Sequence, residues 1–302
     1  MEIREFAEKV CTGTAEKLGP EYKVCVNKVV KNNGVLLRGI TIRKQAEKTV
    51  PVLYLEDLWE RYQEDGDLDD IINEVLDRHA ESLPMDLPGV EKFYDFGKIR
   101  DGICFRLFGR AGNEAFLEDL PYVEFLDMAV CFYYVDEADR EGLNKLLTVN
   151  NGLMKRWDTD TEELFRLASE NTPRIFPGEC RALDQMIMKL MSLDMGGGEG
   201  KCPGFSFEGF PIQVLCNSQR HYGAACLLYP GLLERIAERE GSFYIIPSSV
   251  HEVILVKEEG VKSVDKMKEM VCQVNREVLE PEEVLTDSLY YYDAAEKKVK
   301  IV

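Results

Sequence analysis

Two short polar stretches hold the residues whose types and spacing suit chemistry. The first is Pro247-Ser248-Ser249-Val250-His251-Glu252. A serine close to a histidine offers a nucleophile and a general base, the pairing of a hydrolase. Two features weigh against it. Neither serine sits in a G-x-S-x-G elbow. If Val250 to Glu252 is extended, His251 and Glu252 point to opposite faces, and Glu252 does not orient His251. Serines in tight turns commonly bond the backbone instead. The second stretch is Asn217-Ser218-Gln219-Arg220-His221-Tyr222-Gly223, in which Arg220 and His221 suit an acidic ligand. Its plainer reading is a solvated hairpin loop. The ligand-binding candidates are therefore Asn217, Arg220, His221, Tyr222, Ser248, Ser249, His251 and Glu252. No catalytic residue is assigned.

Other chemistries find less support. Gly196-Gly197-Gly198-Glu199-Gly200-Lys201 ends like a phosphate loop, but Met195 stands at the first glycine position and Cys202 replaces the hydroxyl residue. A surface loop is the expectation there. The three histidines, His79, His221 and His251, form no H-x-x-x-H pair, and the nine cysteines form no C-x-x-C. Neither a metal nor a cofactor is expected. Scattered thiols within apolar runs, such as Cys131 in Ala129-Val130-Cys131-Phe132, read as small buried hydrophobes in a reducing compartment.

The elements that position the two stretches follow from periodicity. Ile3, Phe6, Ala7, Val10 and Leu18 fall on one helical face, with Gly13 weakening the middle and Gly19-Pro20 ending it. Tyr22–Val26 alternates as a strand, Asn32-Asn33-Gly34 is a tight-hairpin signal, and Val35–Ile42 returns. Residues 51–55 suit a third strand. Asp67 caps a helix through Leu76. Gly102–Phe108 reads as a strand, and Asp127–Val135 as a strand buried on both faces. Thr159 and Glu162 have capping-box spacing before a helix that Asn171-Thr172-Pro173 stops. Leu183, Met186, Ile187, Leu190 and Met191 form a further helical stripe. Ile212–Cys216 and Ala224–Tyr229 read as strands around the Asn217–Gly223 loop, and Pro230 as the first residue of a helix. Phe243–Ile246 and Val253–Val256 flank the serine-histidine turn, a helix follows from Val264, and Leu289–Val302 closes as a hairpin.

The expected fold class is α+β: mixed, mostly antiparallel sheets with amphipathic helices packed on them. Helix-strand-strand units repeat at 1–42 and 231–256. The expected organisation is an N-terminal α+β region over 1–195 with a sub-boundary near 82–97, a Gly-rich loop at 196–204, and a C-terminal α+β region over 205–302.

The chain carries 37 basic and 55 acidic residues, a net charge of −18. This disfavours nucleic acid and anionic membranes as partners, since both are held by lysine and arginine. The opening Met1-Glu2-Ile3-Arg4-Glu5-Phe6 lacks the basic-then-apolar pattern of a secretory signal, and no apolar run reaches membrane-spanning length. A cytoplasmic location is expected.

Several blocks together carry a resemblance: Lys31-Asn32-Asn33-Gly34-Val35, Thr161–Phe165 with Asn171-Thr172-Pro173-Arg174, Tyr222–Gly231, and Phe243–Val253. With them the chain resembles a domain-of-unknown-function family of Firmicutes, chiefly Clostridia, over nearly its whole length. More distantly it resembles the YtpQ-like uncharacterised proteins. The resemblance implies a cytosolic bacterial α+β protein and brings no activity, cofactor or substrate. Three functional readings follow. The leading one is a non-enzymatic module binding a protein or small molecule at the two polar turns. The second is a hydrolase using Ser248 or Ser249 with His251 or His221. The third is an assembly protein whose Tyr290-Tyr291-Tyr292 segment forms an interface.

Overall fold

A computed structural model describes residues 1–44, 52–82, 90–136, 146–182 and 212–302. The Gly-rich loop at 196–204, its phosphate-loop-like ending and the apolar stripe from Leu183 to Met191 lie outside the described residues. The fold is α+β, and among the described residues it contains three antiparallel sheets. Packing divides the chain into two units, Met1–Phe93 and Tyr94–Val302.

In the first unit, helix Ile3–Leu18 precedes strands β1 (Tyr22–Val30), β2 (Leu36–Lys44) and β3 (Leu53–Tyr54). The β1–β2 register runs from Tyr22↔Lys44 to Val30↔Leu36. The turn between them puts Asn33 and Gly34 in the left-handed region (φ 56° and 69°), the conformation for which Asn-Gly is favoured. Helices Glu56–Asp65 and Leu68–Ser82 complete the unit. Its core joins Phe6, Val10, Ile40, Ile42, Leu55, Leu58, Ile72 and Val75. Gly13 sits inside the first helix because a Cβ there would lie 2.3 Å from Ile72 Cδ1. Its missing side chain allows the close approach of helix Leu68–Ser82. His79 is buried on that helix, its ring edge-on to Tyr22.

The second unit holds two sheets. In one, β6 (Met128–Val135) is central: β4 (Ile103–Gly109) pairs along one edge, while β5 (Tyr122–Phe125) and β7 (Leu146–Thr148) share the other. All eight β6 residues are buried, as the continuous apolar run requires. Helix Thr161–Ile175 is fastened to this sheet by buried polar groups. Thr172 Oγ1 accepts from Phe105 N at 3.0 Å and donates to Ala168 O at 2.6 Å. Asn171 Nδ2 donates to Arg100 O and Ile103 O.

The other sheet has six strands in the order β13-β12-β10-β11-β9-β8. These are β8 (Gly178–Ala182), β9 (Gln213–Asn217), β10 (Phe243–Ile246), β11 (Val253–Lys257), β12 (Tyr290–Asp293) and β13 (Lys298–Ile301). Helices Leu232–Glu240 and Val264–Glu277 accompany it. Tyr290 and Tyr292 are buried in the core. The helix-strand-strand order at 1–42 recurs as helix Leu232–Glu240, β10 and β11.

Four local expectations are corrected. Gly223–Leu228 is a 3-10 helix, not a strand, so the 217–223 segment joins a strand to a helix and is no hairpin loop. The run from Ala224 to Leu228 has no polar alternation, and an unbroken apolar run does not by itself separate strand from buried helix. The cap of helix Thr161–Ile175 is Asp160, whose carboxylate accepts from Glu163 N at 2.8 Å, rather than Thr159. That helix continues through Pro173 to Ile175. A proline in the last turn forfeits one N–H bond, and Phe176 N still closes onto Thr172 O. Pro230 lies outside its helix: Gly231, at φ 67°, is the N-cap before Leu232.

Candidate functional site

The two polar stretches meet. Strand β9 delivers Asn217, which is 1% exposed. Its side chain organises the loop: Nδ2 donates to His221 O at 2.8 Å, and Oδ1 accepts from Gln219 N and His221 N. Asn217 is thus engaged with the backbone and acts as a brace for the residues that follow. Arg220 (φ 54°) and Tyr222 (φ 52°) are both left-handed, a conformation that costs a non-glycine residue about 1–2 kcal/mol. Asn217 holds the loop against that cost.

The serine-histidine turn, between β10 and β11, is fixed in a similar way. Ser249 Oγ accepts from His251 N at 3.0 Å, and Ser249 N donates to Glu252 O at 3.1 Å. Val250 N donates to Glu283 O, and Val250 O accepts from Ala224 N. That last bond ties the turn to the loop. Gly223 makes the approach possible: a Cβ there would lie 2.4 Å from His251 O and 2.7 Å from Asn217 N.

One side-chain bond completes the junction. Tyr222 N donates to His251 Nδ1 at 3.1 Å. Because Nδ1 accepts, the neutral ring carries its proton on Nε2. The His251 ring stacks near Tyr222 (centroids 5.7 Å apart, 26° between planes). His221 lies edge-on to Tyr222 at 4.1 Å and 5.2 Å from His251. Of the eight candidates, His221, Tyr222 and His251 come together as a ring cluster. Asn217 and Ser249 shape the two turns beneath it. Glu252 receives a hydrogen bond from Ser248, and Arg220 is exposed.

Beneath the rings is a residue the sequence reading missed. Arg106 on β4 is only 6% exposed. Its guanidinium lies 4.8 Å from the Tyr222 ring centre, 4.9 Å from Phe108 and 5.5 Å from Tyr133. The strand register explains this: Arg106 faces Cys131 on β6, Cys104 faces Tyr133, and Tyr133 faces Thr148 on β7. Arg106 Nη2 reaches diagonally to Thr148 Oγ1 at 2.9 Å. Among the described residues its buried Nε has no hydrogen-bond partner and Arg106 forms no ion pair. The signal available in the sequence was a charged residue within the apolar run Ile103-Cys104-Phe105-Arg106-Leu107-Phe108.

Electrostatics follow from burial and from this cation. Burial, then the neighbouring His251 and Arg106, lowers the His221 imidazole to about 4. Burial also lowers His251, with Glu283 opposing. Both rings are therefore neutral near pH 7. Burial raises the Glu252 carboxyl, against Arg220 and the Ser248 hydrogen bond. Burial raises the Tyr133 phenol and pushes the Cys131 thiol up to about 12, so Cys131 is protonated despite Arg106.

The arrangement is rich in donors. His251 Nε2–H, the Tyr222 hydroxyl and the spare guanidinium N–H groups of Arg106 all belong to one cluster. A nucleophile–base pair is a different geometry: Ser249 Oγ is bonded to His251 N and Ser248 to Glu252. Among the described residues no cluster of three or more histidine, cysteine or acidic groups is placed to hold a metal ion.

No curated protein and no solved structure matches the chain significantly. A model described as a family of unknown function (DUF5688) matches residues 3–294, nearly the whole length, and the chain belongs to that family.

Proposed function

We propose that this chain is a binding module whose ligand seat lies where the 217–223 loop joins the 247–252 turn. One observation carries the reading. The partly exposed Tyr222 ring, with His221 and His251 packed against it, lies on a buried guanidinium whose Nε has no hydrogen-bond partner among the described residues. Buried polar groups in folded proteins are nearly always satisfied, so an orphan beneath partly exposed polar rings points to a ligand. Binding is favoured over hydrolysis because the serine hydroxyls are engaged away from the imidazoles. We further infer a cytosolic setting in a bacterium of the Firmicutes. The eight free thiols among the described residues support the compartment, and the blocks that carry the resemblance support the source.

The test is a titration of the full chain, followed by amide and imidazole NMR, with organic phosphates, carboxylates, amines and neutral sugars. The expected result is a saturable shift centred on His221, Tyr222 and His251 for at least one class. Shifts confined to other parts of the chain, or none from any class, reject the seat.

A further inference from the structure

Resting on the binding reading above, we propose that the ligand of this seat is a small oxyanion, a carboxylate or phosphate group, gripped by the Arg106 guanidinium with His221, Tyr222 and His251 around it. The argument starts from the cost of Arg106. Burying a guanidinium that has no anion costs several kcal/mol after relaxation. An aromatic face returns about 0.5–2 kcal/mol, and the bond to Thr148 uses one nitrogen of three. Nε remains buried without a partner, a penalty of about 1–3 kcal/mol. Methionine or leucine would fill the same position on β4 without these costs. The charge therefore serves something beyond the contacts made among the described residues.

The surroundings select the sign of that partner. His251 is fixed as an Nε2–H donor by the Tyr222 amide. The cation and the two imidazoles lie together, close enough that His251 and Arg106 each disfavour protonation of His221. Of the nearby carboxylates, Glu252 bonds Ser248 and lies toward Arg220, and Glu283 acts on His251, while among the described residues neither pairs with Arg106. In a chain of net charge −18, this is a local electropositive spot under an aromatic cover. A planar guanidinium fork flanked by N–H and O–H donors matches the acceptor geometry of a carboxylate or phosphate. A cation or an apolar group would leave every one of these donors unpaired.

The experiment measures thermal shift of the full chain at constant ionic strength. The probes are inorganic phosphate, succinate, glucose and putrescine at low millimolar concentration, below the range of general salt effects. Phosphate or succinate should raise Tm saturably, and the stronger of the two names the headgroup. Glucose and putrescine should not. In Arg106→Met the anion affinity should fall at least about 100-fold, the scale of a lost buried charged contact, while Tm without ligand is unchanged or higher. The Arg106 Nε–H resonance of the unmodified chain supplies a readout that does not depend on the variant folding, and it should move on adding the effective anion. Anion stabilisation that persists in Arg106→Met, or an Nε–H resonance that ignores both anions, overturns the proposal. A shift at His221 and His251 with glucose or putrescine alone keeps the binding seat and discards the anion. No response to any probe discards both.

Discussion

At the scale of single residues, the seat depends on a few side chains with unlike tasks. Asn217 is the brace, fully buried and bonded to the loop backbone in three places. Asn217→Ala should cost about 1–3 kcal/mol in urea denaturation, because it leaves partly buried backbone groups of the loop unpaired. An unchanged midpoint would remove the brace from the account. His221 gives a pH signature. Its folded value of about 4 lies below the ordinary 6.5. Above pH 6.5 both the folded and unfolded states hold it neutral. As pH falls from 6.5 toward 4, the unfolded chain takes up a proton that the folded chain refuses, so stability is lost across that window. His251 shifts in the same direction and adds to the loss. His221→Gln should flatten the decline of Tm between pH 6.5 and 4.5, and superimposable pH curves for the two proteins would contradict it. Part of this was legible beforehand. Both polar stretches stood out because histidine, serine and asparagine cluster between apolar runs. Arg106 did not, because a lone charge in a buried strand says nothing of its neighbours until the strand register is known.

At the scale of elements, periodicity carried most of the layout. Alternation gave β1 and β2 and the Asn-Gly turn gave their connection, since a left-handed pair at Asn33 and Gly34 closes that hairpin. The eight-residue apolar run gave β6 as a strand covered on both faces. Where the reading missed, the physics was tertiary. Gly223-Ala224-Ala225 are small, apolar and without alternation, and they wind into a 3-10 helix whose Ala224 amide meets the turn at Val250 O. Pro173 stays helical because a proline near a helix end forfeits only one bond. The approach of loop and turn leads to a test. Gly223→Ala places a methyl group against two backbone atoms, neither of which is a flexible side chain. It should part the loop from the turn, lowering Tm and exposing the His251 ring to faster proton exchange. Wild-type exchange at His251 in this variant would contradict the packing. Thr172 makes a comparable junction for the helix on β4. Thr172→Val keeps the shape and loses the acceptor of Phe105 N, with an expected cost of about 1–3 kcal/mol by chemical denaturation.

At the scale of the whole molecule, each unit has its own core. Residues 1–93 bury Phe6, Val10, Ile40, Ile42, Leu55, Leu58 and Val75 in one cluster, and a unit of this size with a closed core is able to fold alone. Expressed alone, 1–93 should show cooperative thermal unfolding, and a non-cooperative melt would contradict a self-contained core. The second unit carries the seat, because only there do strand β4, the 217–223 loop and the 247–252 turn converge. The central claim is that loop and turn are locked into one donor-bearing surface through Tyr222 N and His251 Nδ1. Long-range proton–nitrogen NMR of the imidazole rings reads this directly at neutral pH. The account predicts a neutral His251 with its proton on Nε2 and an unprotonated, hydrogen-bonded Nδ1. A ring averaging freely between tautomers, or one protonated on Nδ1, would contradict it.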